Sequence, residues 1–300
     1  MYKCCNYFHY RLIITKILIM ETLIAIIEKP EDAKHFISYV GHMALDFNMK
    51  VHLVYVQEQY DYTLGPPPSP GYSATLEVQK NNERKAAKTL QRLIGEIRDE
   101  LPGKISIEYS TEIADKSAAI MDYISAKKAT MAVMEAREPL GFWSFTSSYL
   151  DVINSVTCPV WIIPHRAMYK PMKQIVYATD YKEEDLKTLR KFIELTAGQG
   201  PAITALHICD TVDFEEKVKQ AGFNEMVQAK LGYKDITVKC LREKDNQNAS
   251  QLINEYAVII NADLIVVLKE NRNFFDTIFN PDSTKKIVKE AQMPVLVYIL

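Results

Sequence analysis

The chain is 300 residues long, 48% hydrophobic and 25% charged, an ordinary globular composition that excludes the disordered and collagen-like classes. Lys+Arg number 36 against 38 Asp+Glu, leaving a formal charge of −2 and a pI near 6.3, so no global positive field exists to hold a nucleic acid. Mean hydropathy is −0.13, no run of about 18 uncharged apolar residues occurs, and at roughly 100 to 200 residues per domain two domains are expected, with no membrane span.

The N-terminus comes first in the chain. Lys3 and Arg11 precede a short apolar stretch, Leu12 to Ile19, which Lys16 interrupts. A secretory signal needs a longer uninterrupted apolar core and a small-residue cleavage site. Met20 is therefore read as the functional start and residues 1–19 as a dispensable extension, a signal anchor being the alternative. The five cysteines, Cys4, Cys5, Cys158, Cys209 and Cys240, are odd in number and widely spaced, which is no disulfide framework. Cys158, Cys209 and Cys240 lie in or beside apolar strand-like runs and read as small hydrophobes of a reducing, cytoplasmic protein.

From Thr22 onward strands and helices alternate. The first half reads as strand 22–27, helix 31–48, strand 51–56, a loop over 57–75, helix 76–100, strand 105–110, helix 116–127, strand 130–134, helix 147–155 and strand 160–163. The loop is assigned from Gly65-Pro66-Pro67-Pro68-Ser69-Pro70-Gly71, since proline lacks a donor and stiffens the chain. The second half reads as strand 174–179, helix 183–198, strand 202–208, helix 213–230, strand 235–241, helix 247–260, strand 263–268, helix 282–291 and strand 294–299. Strands such as Ile265-Val266-Val267 are apolar at consecutive positions, as strands covered on both faces must be. Leu186, Leu189 and Ile193 alternate faces with charged neighbours, as in a helix laid on a sheet. Such alternation implies a parallel sheet with right-handed crossovers and a ligand cleft beyond the strand C-termini.

The halves repeat each other. Glu28 and Asp180 follow the first strands at an offset of 152 residues, and Tyr55 and His207 share that offset. Pro159 and Pro294, before the last strands, are 135 apart, so the first copy is 17 residues longer, and the proline-rich loop accommodates the surplus. Two divergent copies of one unit explain the length better than two unrelated domains. Val160 to Ile163 and Val295 to Ile299, rich in Val and Ile, are the expected meeting edge of an internal pseudo-dimer.

Strand-Thr179-Asp180, Leu206-His207-Ile208, Ala262-Asp263-Leu264-Ile265-Val266-Val267 and Met293-Pro294-Val295-Leu296-Val297, in that order and echoed in the first half, resemble a tandem universal stress protein. The resemblance covers nearly all of residues 20–300. It implies an α/β fold of two tandem five-stranded, parallel, doubly wound sandwiches, Rossmann-like and of the adenine nucleotide alpha hydrolase-like kind. The expected organisation is an extension over 1–19, a first unit over 20–165, a linker over 166–173 and a second unit over 174–300. Members of this family usually dimerise through the last strand, so a homodimer is a further possibility; the protein partner is not specified by the sequence.

The family divides into members that bind ATP and members that do not, and binding members resemble one another in a G-x-x-G, about nine residues, then G-[S/T] after strand four. Glycines let backbone amides approach phosphate, and a helix N-terminus adds its dipole. Here Glu135-Ala136-Arg137-Glu138-Pro139-Leu140-Gly141 follows strand four of the first copy, and Leu268-Lys269-Glu270-Asn271-Arg272-Asn273 that of the second. The paired glycines are missing from both, and Glu135, Glu138 and Glu270 place negative charge near a polyphosphate. Ser147-Ser148 and Ser283-Thr284 stand where the G-[S/T] step would fall, and read as helix N-caps. The resemblance implies a nucleotide contact for Asp180 and, loosely, Glu28. The favoured local reading is that Asp180 opens or caps the following helix.

The expectation is a cytoplasmic stress-response protein that binds or regulates, without catalysis and without cofactor. Two alternatives remain. One is an ATP-binding sensor or slow ATPase using Asp180, Asn271, Ser283 and Thr284. The other is a scaffold using the proline-rich loop 65–71. No His-x-x-x-His or carboxylate spacing indicates a metal, and no nucleophile elbow or P-loop indicates catalysis. His207, at the end of a strand, reads as a core or hydrogen-bonded histidine. Phe142, Trp143, Phe145, Phe274, Phe275, Ile278 and Phe279 read as a plug of the vacated cleft or as an interface between the copies.

Overall fold

A computed structural model of the chain describes residues 20–58, 70–136, 152–243, 249–269 and 293–299. In the first half the elements are β1 (Thr22–Ile27), a 3-10 turn (Pro30–Asp32), α1 (Lys34–Asp46), β2 (Lys50–Glu58), α2 (Pro70–Glu100), β3 (Ile107–Ala114), α3 (Lys116–Lys127), β4 (Met131–Ala136) and β5 (Val160–Pro164). In the second they are β6 (Gln174–Ala178), α4 (Glu183–Leu195), β7 (Ala202–Cys209), α5 (Phe214–Leu231), β8 (Ile236–Arg242), α6 (Ala249–Ile259), β9 (Leu264–Lys269) and β10 (Val295–Ile299). Among the described residues no helix is long and apolar enough to cross a membrane.

All ten strands form one sheet in the order β3-β2-β1-β4-β5-β10-β9-β6-β7-β8. Every pairing within a half is parallel. The halves meet where β10 runs antiparallel to β5, with Val295 opposite Ile162, Leu296 opposite Trp161 and Val297 opposite Val160. The last strands are therefore the meeting edge expected from their apolar runs. In each half the order reverses beside the first strand, which is where an open α/β sheet leaves a crevice at its strand C-termini.

The sheet is buried on both faces. Leu23, Ala25 and Ile27 of β1 join one apolar layer with α1, and Ile24 and Ile26 join the other with α3. Strand alternation thus divides TLIAII between two cores. Both layers run through the junction: Trp161 and Leu296 lie in the first, and Val160, Ile162, Val295 and Val297 in the second.

The boundaries around the proline-rich loop and the third strand depart from the sequence reading. The loop expected over 57–75 gives up both ends, because β2 runs to Glu58 and α2 begins at Pro70. Proline fits a first helical turn, where its missing N–H has no partner to lose. The third strand lies later than 105–110, at Ile107–Ala114. Its side chains beyond Ile107 are partly exposed, as on an outer strand, so Glu108, Ser110 and Glu112 masked its extent. Residues 1–19 and 65–69 lie outside the described residues, as does the aromatic cluster beginning at Phe142 and continuing at Phe274.

Candidate functional site

The C-terminal end of β6 in the second half carries a dense, buried polar network. Asp185, in the first turn of α4, is buried. Its Oδ2 accepts from Thr179 Oγ1 (2.8 Å), Asp180 N–H (3.1 Å) and Lys182 N–H (3.0 Å), and its Oδ1 from the Tyr177 hydroxyl (3.1 Å). Burial pushes the Asp185 carboxyl above its ordinary value, and these donors oppose the shift. Thr179 Oγ1 in turn accepts from Tyr181 N–H at 3.0 Å. Tyr181 sits at φ 60°, a left-handed conformation that a bulky side chain rarely adopts. The network holds it there and lays its ring over His207 (4.5 Å between centroids) and against Phe223 (5.1 Å).

His207 comes from β7 one step beyond the pairing of Ala178 with Leu206. Its Nδ1 lies 2.7 Å from the Thr179 carbonyl oxygen. A carbonyl only accepts, so Nδ1 carries the proton and Nε2 faces the other way. That nitrogen stands 3.6 Å from Glu216 Oε1 of α5. Asp180 Oδ1 is 3.7 Å from Nδ1, and the Asp180 side chain is 41% exposed. Asp180 therefore faces the open rim of the site, while Asp185 does the capping. This corrects the sequence reading of Asp180 as the helix starter: the residue at the third helical position reaches back to the orphan N–H groups, as in a capping box.

The matching rim in the first half is a row of carboxylates. Glu28, after β1, is paired with Lys116 at the start of α3, both side chains largely buried. Glu135, near the end of β4, is buried and accepts from His165 Nδ1 (2.9 Å) and Arg166 N–H (3.3 Å). Asp32 lies 3.9 Å from the other nitrogen of His165. Burial, with the Glu31 and Glu28 carboxylates beside it, raises the Tyr55 phenol above its ordinary value.

The model of the universal stress protein family matches residues 20–164 and again 171–298. The chain belongs to the universal stress protein family. It carries two such domains in tandem. Solved structures agree in fold: a universal stress protein of Archaeoglobus fulgidus DSM 4304 is 12% identical, covers 93% of this chain and 98% of its own, and superposes with a TM-score of 0.63. A functionally unknown protein of Pseudomonas aeruginosa PAO1 is 15% identical over 94% of each chain, with a TM-score of 0.60. The cytoplasmic domain of a prokaryotic cation chloride cotransporter is 10% identical, covering 93% and 95%, with a TM-score of 0.52. No curated protein matches the chain.

Of the residues that the family resemblance singles out, Asp180 lies at the C-terminal rim of the sheet. Asn271, Ser283 and Thr284 lie outside the described residues. His207 is hydrogen-bonded, as read from sequence, yet it also faces a carboxylate. The cysteine reading needs the larger correction. Cys209 and Cys240 are not separate hydrophobes: their sulfurs lie 2.7 Å apart, beside Glu216. These residues are 31 positions apart, and only the pairing of β7 with β8 brings them together, so no local spacing could have shown it. The signal that existed was the strand assignment, which put Cys240 in one strand and Cys209 just past the end of another.

Proposed function

We propose that this tandem universal stress protein serves the stress response in the cytoplasm by binding or regulation, without catalysis, and that neither copy holds ATP in the manner of the nucleotide-binding members. One observation carries the reading: carboxylates occupy the strand C-termini where a polyphosphate would lie. Glu28, Glu31, Asp32 and Glu135 line that rim in the first copy. Such groups repel phosphate, and Lys116 and His165 are already engaged with them. The sequence supports the same conclusion, since Gly141 is the single glycine in the 28 residues from Arg137 to Pro164 and none occurs from Glu270 to Leu300. Backbone cradles for phosphate depend on such residues.

Calorimetric titration of the full chain with Mg-ATP tests this. The expected result is no saturable heat at micromolar protein. Saturable micromolar binding that Asp180→Ala weakens would establish the ATP-sensor alternative and overturn the proposal.

A further inference from the structure

We propose that His207, Cys209, Glu216 and Cys240 form a binding site for a borderline divalent cation of the Zn²⁺ kind. The site is built by topology. His207 pairs with Cys240, and Cys209 with Arg242, across the parallel strands β7 and β8. Alternate residues of a strand share a face, so His207, Cys209 and Cys240 point the same way. Helix α5 then closes over them. Its N-cap, Asp213, accepts from Glu216 N–H at 2.9 Å and from Thr211 Oγ1 at 2.9 Å, which sets Glu216 on the first turn above the sulfurs.

Three of the ligand atoms converge, and His207 adjoins them through Glu216. Cys209 Sγ, Cys240 Sγ and a Glu216 oxygen lie within 4.8 Å of one another. Glu216 Oε1 is 3.9 Å from Cys240 Sγ and 3.6 Å from His207 Nε2. Zinc bond lengths of about 2.0 to 2.3 Å in a tetrahedron place N and O ligands roughly 3.4 Å apart and S and O ligands roughly 3.6 Å apart. The two distances from Glu216 Oε1 already fit. The sulfurs, at 2.7 Å, would open by about 1 Å to reach the tetrahedral spacing of about 3.8 Å.

The chemistry of the donors points to a cation. His207 donates Nδ1–H to the Thr179 carbonyl, the kind of bond that fixes the ring of a ligating imidazole. Its Nε2 lone pair then meets a carboxylate, acceptor against acceptor. The only cation near Glu216 among the described ion pairs, Lys219, is 4.0 Å from the other oxygen, Oε2. Tyr181 Oη is buried without a hydrogen-bond partner among the described residues. A proton on Nε2 would reconcile His207 with Glu216 alone and leave the two thiols and Tyr181 unexplained. A cation that displaces both thiol protons gives the two sulfurs and Glu216 a shared partner, and two thiolates with an imidazole favour Zn²⁺ over Mg²⁺ or Ca²⁺.

The first copy serves as an internal control. There the register pairs Tyr55 with Thr111, and Thr111 Oγ1 donates to Glu83 at 3.2 Å. A hydroxyl and a carboxylate satisfy each other, with no thiol paired to them among the described residues.

The test uses the full chain carrying C4S, C5S and C158S, purified with a phosphine reductant. Zinc is titrated in competition with a chromophoric chelator, and Co²⁺ spectra are recorded in parallel. One equivalent of zinc should bind, and Co²⁺ should give a near-ultraviolet thiolate charge-transfer band with intense tetrahedral visible bands. C209S or C240S should weaken binding by more than about 100-fold, and H207Q or E216Q by roughly 10- to 100-fold. Zinc should also raise the Tm of the parent, and E216Q should lose most of that rise, a readout that holds even if a cysteine variant folds poorly. Absence of binding, a Co²⁺ spectrum without the thiolate band, unchanged affinity in folded C240S, or a Cys209–Cys240 disulfide formed in place of zinc binding would each overturn the site.

Discussion

Replacing Asp185 by alanine should destabilise the second half by about 3 to 4 kcal/mol. The carboxylate accepts four hydrogen bonds, from Thr179 Oγ1, Tyr177 Oη and the N–H groups of Asp180 and Lys182. Losing a helix cap costs about 1 kcal/mol. Tyr177 is fully buried and Thr179 nearly so, and each hydroxyl left without its acceptor costs about 1 to 3 kcal/mol. Against this, the variant no longer desolvates a carboxyl, which returns part of the loss. Equilibrium urea unfolding followed by far-UV circular dichroism measures the difference, with the slope checked for an unchanged denatured state. Asp185→Asn keeps one acceptor oxygen and should lose roughly half as much. A cycle with Thr179→Val should show coupling of about 1 kcal/mol or more, since the two side chains share a bond. A loss below about 1 kcal/mol for the alanine variant would refute the view that Asp185 organises this turn.

Other expectations are more local. Burial, with the Lys127 ammonium nearby, lowers the His52 imidazole below its ordinary value, although Glu108 opposes the shift. The folded state therefore favours neutral His52. Its contribution is intact above the unfolded value of about 6.5 and is lost as pH falls through the lower folded value. Thermal unfolding between pH 8 and 5 should show a fall in Tm that His52→Gln reduces, and parallel curves would refute this. Lys128 caps α3 at φ 49°, so Lys128→Gly should stabilise by about 0.5 to 1 kcal/mol in chemical denaturation by removing the left-handed penalty. Asp263 Oδ2 accepts from Lys173 N–H (2.8 Å) and Gln174 N–H (3.0 Å), and its Oδ1 pairs with Lys170 (2.6 Å). Asp263→Ala should cost about 2 to 3 kcal/mol and speed proteolysis near Lys170 and Lys173; unchanged cleavage would count against the tie.

Most of the frame was readable because it depends on patterns that burial imposes locally. Leu23 to Ile27 and Leu264 to Leu268 are continuous apolar runs, and a strand between two helical layers has no other composition available. The duplication showed in matching offsets, and the meeting edge in two Val- and Ile-rich terminal strands. What escaped depends on geometry between elements. Asp180 and Asp185 are both acidic residues near a helix start, and only the reach of the third helical position decides which one caps. Pro70 could mark a loop or a first helical turn. Cys209 and Cys240 looked like core because each was judged alone, whereas their meaning comes from the strand register that joins them to His207 and from the helix turn that adds Glu216.

The antiparallel junction makes a stronger claim than domain pairing. Without it β5 and β10 would be edge strands with apolar faces and unpaired backbone groups, which proteins cover or pair. Leu296 is fully buried and lies opposite Trp161, in the layer that also contains Leu23, Val133, Tyr177 and Val266. That layer has no boundary between the halves, so the two copies should lose structure together. Leu296→Ala removes a buried side chain at the seam and should cost about 2 to 5 kcal/mol. Native-state hydrogen exchange then distinguishes a shared core from two docked units. With a shared core, amides of β1 and β4 lose as much protection as those of β6 and β9, although Leu296 belongs to the second half. Loss confined to β6, β9 and β10, with the first half unchanged, would show that the layers merely touch and that each copy keeps its own stability.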